Sequence, residues 1–401
     1  MRRAERGAAA SDTTEPLVRD ALAAICAVRP DTPLTHQPEH DRILLSDGEE
    51  GSLFLGNLRT RTGDMSTAER QAFLAEFVQA FSSEPTPPEA LRESLALRLR
   101  TVPEVSLRST IMEGFASGAI RPCGDLMVEV VHDMKHAVRT PSAEDLKAAG
   151  LSPDEAFEQA LHTLTANTPS PEEVELWEAL EPGVWALRIS DDFAAARVVM
   201  LPGFPLPAAP DSGASPTLFL PSHNTVVLTH ATDREGLERA VSLGNQLAEA
   251  HRFFSARLFK MGPDGPVVAR DTEVAREMDD YAAGLDYAEQ ADALDRFMED
   301  EGREETVPTV MGVADEKTGA VTTLTVFAGG PCWLPEADAV ALKHPADSGG
   351  GVVRVEWSVF ARTLGTDAMP PVPGLVPVRY AVPAVTEAVF AALLAAGEPM
   401  N

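Results

Sequence analysis

The sequence predicts an α+β fold: two or three modules of antiparallel or mixed sheet with packed helices, plus an acidic helical segment before a carboxy-terminal α+β domain. Three observations carry this expectation. Apolar residues recur at helical spacing in several stretches, Asp-Gly turn signals separate short apolar runs in others, and 401 residues exceed what one core usually organises.

The elements follow in order. Residues 1–14 read as a loose tail, basic at its tip and lacking the apolar run of a secretory signal. "EPLVRDALAAICAV" has helical periodicity and "RPDTP" ends it. "DRILLSDGEEGSLFLGNL" predicts a hairpin about Asp47-Gly48. In "STAERQAFLAEFVQAFSS", Ser66 and Glu69 have the spacing of a capping box. "TPPEALRESLALRLRTV" reads as one more helix and "DLMVEVVHDM" as a strand, and "SAEDLKAAGLSPDEAFEQALHTLTANTP" reads as two helices divided at Gly150 and Ser152-Pro153. These compose an amino-terminal module, 15–168.

A central module, 172–270, follows "TANTPSPEE". "GVWALRIS" and "AARVVMLPG" are expected as strands joined at "DDF", "FPLPAAPDSGASP" as a surface loop, and "TLFL" and "NTVVLTH" as further strands. A helix then starts near Thr232 or Asp233, and "SARLFKMGPDGPVVAR" turns at Asp264-Gly265. Residues 271–305 hold fourteen acids against three bases. Tyr281, Leu285, Ala288, Ala291, Leu294 and Met298 keep a helical stripe there, which predicts one or two helices with an acidic outer face. Residues 306–401 return to strands in "TVPTVMGVA", "VTTLTVFAG", "DAVALKH" and "GVVRVEWSVF", and close with a helix near "AVTEAVFAALLAAG".

The charge narrows the function. An apolar fraction of 44% with 24% charged residues is that of a chain that folds unaided, and the net charge of −29 repels phosphate backbones and anionic bilayers. Direct nucleic-acid binding and membrane binding are therefore not expected. Cys26, Cys123 and Cys332 are odd in number and widely spaced, without a C-x-x-C pair, and fit reduced thiols in a cytoplasmic protein.

Histidines carry the sharpest chemical question. His132 and His136 stand four apart beside Asp133; on a helix their side chains could share an ion, but across an extended backbone they lie about 13 Å apart. Val128, Val130 and Val131 favour the strand, and no Glu follows His132 as a metalloprotease motif requires. Pro38 breaks the same spacing at His36 and His40. Ser222, His223 or His230, and Asp233 have the residue types of a triad without the G-x-S-x-G turn, and Pro331 leaves Cys332 no helix N-terminus to activate it. "ADSGGGVVRV" has no phosphate-loop spacing. No metal and no cofactor are expected.

The segments "GSLFLGNL", "EVSLRST", "DLMVEVVHDMKHAVRTPSAEDLKAAGLSPDEAFEQAL", "GVWALRISDDFAAARVVML", "FLPSHNTVVLTH" and "SARLFKMGPDG" resemble, in that order, the YtpQ-type family of bacterial proteins of unknown function, over about residues 15–270. The resemblance implies an α+β protein without an assigned activity. It places the family's arginine and its late-strand acid at Arg108 and Asp133, and departs from the family at His223-Asn224, where members have Arg-Asp.

The leading expectation is a non-enzymatic binding or regulatory protein, of an adaptor or immunity-like kind, that meets a basic protein partner through acid at Asp279, Asp280, Glu299, Asp300 and Glu301. Arg108, Asp133 and Arg139 are further binding candidates. The alternative is a hydrolase-type enzyme using Arg108, Asp133, Arg139 and His132 between the first two modules, in which the arginines hold an anion and Asp133 acts on a proton. A DNA mimic is a third reading.

Overall fold

The structure, a computed structural model, describes residues 15–38, 41–46, 50–82, 87–112, 119–134, 137–172, 174–189, 191–208, 215–249, 253–314, 321–343 and 352–400. The fold is α+β. Its described residues divide into two compact units, one drawn from Met1–Leu97, Val130–Thr168 and Glu249–Arg252, the other from Arg98–Glu129, Pro169–Ala248 and Phe253–Asn401.

In the first unit the helix Pro16–Val28 begins with proline at its first turn and buries Leu17, Val18, Ala21 and Ile25 against the helix Thr67–Ser82. The latter starts where the capping box predicts: the Ser66 N–H donates to Glu69 at 2.9 Å and the Glu69 N–H to Ser66 Oγ at 3.4 Å. Beside them Leu34–Gln37, Arg42–Ser46 and Glu50–Phe54 form an antiparallel sheet; the Asp47-Gly48 turn lies outside the described residues. The helices Ala143–Ala148 and Pro153–Ala166 each open on a full capping box, from Ser142 with Asp145 and from Ser152 with Glu155. Gly150, at φ +65°, turns the chain between them.

The second unit holds a six-stranded antiparallel sheet in the order Gly265–Val268, Leu258–Gly262, Thr217–Ser222, Thr225–Thr229, Val184–Leu187, Trp177–Glu181. The helix Arg234–Ala248 packs on its middle strands, and Asp233 caps it by accepting the Gly236 N–H at 2.8 Å. A second sheet runs Val310–Ala314, Val321–Phe327, Ala339–Leu342, Val353–Glu356, Glu398–Pro399, with one parallel pair, Val321–Phe327 with Ala339–Leu342. Phe360 and Phe390, from the helices Trp357–Leu364 and Glu387–Ala396, meet Phe327 in its core.

Two turns of this unit abut. The hairpin of Ile120–Cys123 with the following strand turns at Gly124, φ +60°, and the hairpin of Leu258–Gly262 with Gly265–Val268 turns at Gly265, φ +123°. A Cβ on Gly124 would lie 2.2 Å from the Pro266 carbonyl oxygen, and one on Gly265 would lie 2.8 Å from Cys123. The Asp125 N–H donates to Pro266 and the Val268 N–H to the Asp125 carboxylate, both at 2.7 Å.

Three expectations are corrected. The single helix expected over "TPPEALRESLALRLRTV" is a short helix, Pro88–Glu93, followed by the strand Leu95–Thr101, because Ser94 closes the helix onto the Ala90 carbonyl and the residues beyond are buried on both faces. "AARVVMLPG" is not a strand: Ala194–Met200 is a helix whose entry is fixed by the Asp191 carboxylate accepting the Phe193 N–H at 3.0 Å. The strand expected through "GVVRVEWSVF" ends at Glu356, and Trp357 starts a helix.

Candidate functional site

The strand Leu126–Met134 is extended through His132, as its valines predict; His136 lies outside the described residues, as does His40. Strand Ala137–Arg139 folds back on it and sets His132 directly opposite Arg139 and Asp133 opposite Val138. Successive strand residues point to opposite faces, so His132 and Arg139 share one face while the exposed Asp133 occupies the other. Side chains so placed cannot act on a single bound group. His132 is 5% exposed, and its Nδ1 and the Arg139 Nε are buried without a hydrogen-bond partner. Burial holds the His132 pKa below its ordinary value, the Arg139 charge adds to this, and Asp145 opposes it. Arg139 lies 3.3 Å from Asp145, whose carboxylate already caps its helix by accepting the Ser142 N–H at 2.9 Å. The pair is a neutral imidazole beside a guanidinium.

Arg108 belongs to the second unit, on the helix Val102–Ile111, which Thr101 caps by accepting the Glu104 N–H. Its guanidinium stands 3.5 Å from Glu129, a carboxylate with no exposed surface. Arg100 binds the same carboxylate at 2.5 Å and Glu104 at 2.9 Å. A buried acid between two guanidiniums is neutralised in place, and removing either sign would strand the other in a dry site. Arg100, Glu104 and Glu129 escaped the sequence reading; the available signal was an acid in the middle of "MVEVV", where an unpaired charge is not tolerated.

The triad residues do not assemble. Ser222 is fully buried with its hydroxyl unpartnered, His230 Nε2 bonds the Pro207 carbonyl at 2.9 Å, Asp233 caps a helix, and the His223 ring packs on Phe254 with centroids 4.6 Å apart. Burial pushes the Cys332 thiol up to about 12, which leaves it protonated at neutral pH. Among the described residues no group of three or more His, Cys, Asp or Glu side chains is placed to hold a metal ion. An apolar depression of 340 Å³, lined by Ala143, Leu146, Lys147, Gly150, Leu151 and Pro153, carries Lys147 as its one charged group.

The acidic segment is one 28-residue helix, Glu273–Asp300, begun by Thr272 accepting the Ala275 N–H. Its buried side is Val274, Ala275, Ala282, Gln290, Ala291, Leu294 and Met298, whereas Tyr281, expected in the stripe, is 61% exposed. Several of its acids are held by arginines. Asp279 accepts from Arg257 at 2.8 Å and Arg270 at 2.7 Å, Asp286 lies 2.8 Å from Arg257, and Glu273 and Glu277 hold Arg234 at 3.1 and 2.8 Å. Burial pushes the Asp279 carboxyl up, but the hydrogen bonds from Arg257 and Arg270 outweigh it and hold it below its ordinary value; at Asp286 burial prevails and raises it. Asp280, Glu299, Asp300 and Glu301 are exposed. The last three crowd the negative end of the helix dipole, and the last turn contains no basic residue.

Arg379, which no sequence pattern singled out, fastens the middle of this helix. It has no exposed surface and donates to Gln290 at 2.9 Å and to the carbonyls of Pro308, Trp333 and Tyr287 at 2.7, 3.0 and 2.8 Å. Burial lowers its pKa to about 10, so it remains charged at neutral pH. No family model, no curated protein and no solved structure matches the chain. Among the described residues no helix is long and apolar enough to cross a membrane.

Proposed function

We propose that the chain is a non-enzymatic cytoplasmic binding or regulatory protein that holds a basic protein partner on the acidic surface of its carboxy-terminal part. The reading is narrower than the acid count suggested, because Asp279 is spent on Arg257 and Arg270 and serves the fold. One observation supports it above the others: Glu299, Asp300 and Glu301 stand exposed together at the end of the acidic helix, a concentration of negative charge that a cationic surface complements. The resemblance to the YtpQ-type family belongs to the same proposal and adds no activity to it.

The test keeps the helix and removes the charge. Deleting 271–305 would expose the core around Leu294, so the informative variant is Asp280→Asn, Glu299→Gln, Asp300→Asn, Glu301→Gln. Immobilised wild-type protein is expected to capture a basic protein at low salt and release it as salt rises, because exposed charges are screened within about 8 Å at physiological ionic strength. The variant should recover much less of it. Equal recovery on both would reject the proposal.

A further inference from the structure

We propose that the strand Val310–Ala314 is a docking edge that accepts an extended segment of a partner protein, alternating basic and apolar residues, as an added strand. This rests on the acidic-surface reading above and names where and how the partner is held. Val310–Ala314 is the last strand of its sheet among the described residues and pairs only with Val321–Phe327, in unbroken register from Val310 with Thr325 to Ala314 with Val321. In an antiparallel pair alternate residues aim their N–H and C=O groups away from the neighbour, so this edge offers backbone donors and acceptors to an incoming chain.

Sheet edges are usually guarded by lysine, proline or a bulge, and Val-Met-Gly-Val-Ala contains none of these. Its side chains are sticky instead. Met311 is 45% exposed and Val313 42%. Met311 and Val313 are two residues apart and therefore share a face, which gives an added strand an apolar row to lie against.

Charge selects the occupant. The strand packs against the acidic helix, and the guanidinium of Arg379 ties Pro308 to Tyr287 just before the strand begins. Asp280 and Tyr281 are exposed on that helix, an acid beside an aromatic face that attracts Lys or Arg. A second copy of the chain would bring another net charge of −29 to the same edge, so self-pairing is opposed where a basic segment is favoured.

The experiment uses the full chain with two capped peptides of equal charge, Lys-Val-Lys-Val-Lys-Val-Lys and Lys-Gly-Lys-Gly-Lys-Gly-Lys, and reads affinity together with amide hydrogen exchange. The valine peptide should bind roughly tenfold tighter and slow the exchange of amides within 310–314, whereas charge alone would bind both alike. Val313→Pro, which takes a backbone N–H from the edge strand, should lower that affinity about tenfold, and Met311→Lys, which puts a charge into the apolar row without touching the backbone, should do the same. Absence of valine-peptide binding, equal binding of the two peptides, or a Val313→Pro protein that is folded and binds unchanged overturns the inference. Dimers in sedimentation that Val313→Pro dissociates also overturn it, in favour of a second copy. If the Asn/Gln variant of the acids loses the peptide while Val313→Pro keeps it, the edge is wrong and the acidic-surface reading stands; if the Asn/Gln variant also keeps its partner, that reading fails as well.

Discussion

In the first unit the polar bonds that set helix starts join residues three apart, Ser66 with Glu69, Ser142 with Asp145 and Ser152 with Glu155, whereas in the second a single guanidinium, Arg379, reaches carbonyls 46, 71 and 92 residues away. The first kind of bond can form as soon as a helix does. The second exists only once distant strands and a helix have met, and nothing else in that dry site can replace it. Damage should therefore differ in both size and reach: local at the capping serines, cooperative at Arg379.

Arg379→Met is expected to produce the largest effect. It removes four hydrogen bonds and leaves the Pro308, Trp333 and Tyr287 carbonyls without that donor, so the loss should be on the order of 4 kcal/mol. Denaturant unfolding measures the loss, and native-state hydrogen exchange should place it in the second unit. A loss below about 1 kcal/mol would erase the contrast drawn here. Ser142→Ala and Ser152→Ala should each cost about 1 kcal/mol, with exchange quickened in the helix concerned, and Ser152→Asp should restore most of the loss because aspartate caps as well as serine.

The smallest effect is one of pH and sharpens the account of the first unit. His132 is buried with its pKa below the ordinary value of 6.5, so the unfolded chain takes up a proton before the folded one does. Its contribution to stability is complete above pH 6.5 and is lost as the pH falls from there toward the folded pKa. Unfolding midpoints compared at pH 7 and pH 5.5 should show a smaller drop in His132→Gln than in the wild type. An identical drop would mean that the imidazole is not held neutral.

Much of the first unit was legible because its signals are short. Capping boxes, Pro at first turns and Gly150 at a positive φ are written within a few residues of the structures they fix. Where reading failed, burial or a turn-residue contact had overridden the pattern of residue types. "LALRLRT" has residues that suit a helix and becomes a strand buried on both faces, while the two valines of Ala194–Met200 suggested a strand until Asp191 fixed a helix start ahead of them. That the backbone is extended through His132 was readable from β-branching alone. The roles of Arg100, Glu129 and Arg379 were not, since their partners lie four to 92 residues away and only the folded chain brings them near. Of the acids named from composition, Asp279 proved to be a fastening and Asp280, Glu299, Asp300 and Glu301 remain at the surface.

The abutting glycine turns carry a practical consequence. By sequence, "GPDG" is an ordinary loop tip of the sort chosen for an epitope tag, a circular-permutation break or a fused reporter. Yet Gly265 has the Cys123–Gly124 backbone where its side chain would be, and Gly124 has Pro266, so cargo placed at either tip must push the other away. Engineers who need a permissive position should look elsewhere on the molecule, because these two tips are one joint.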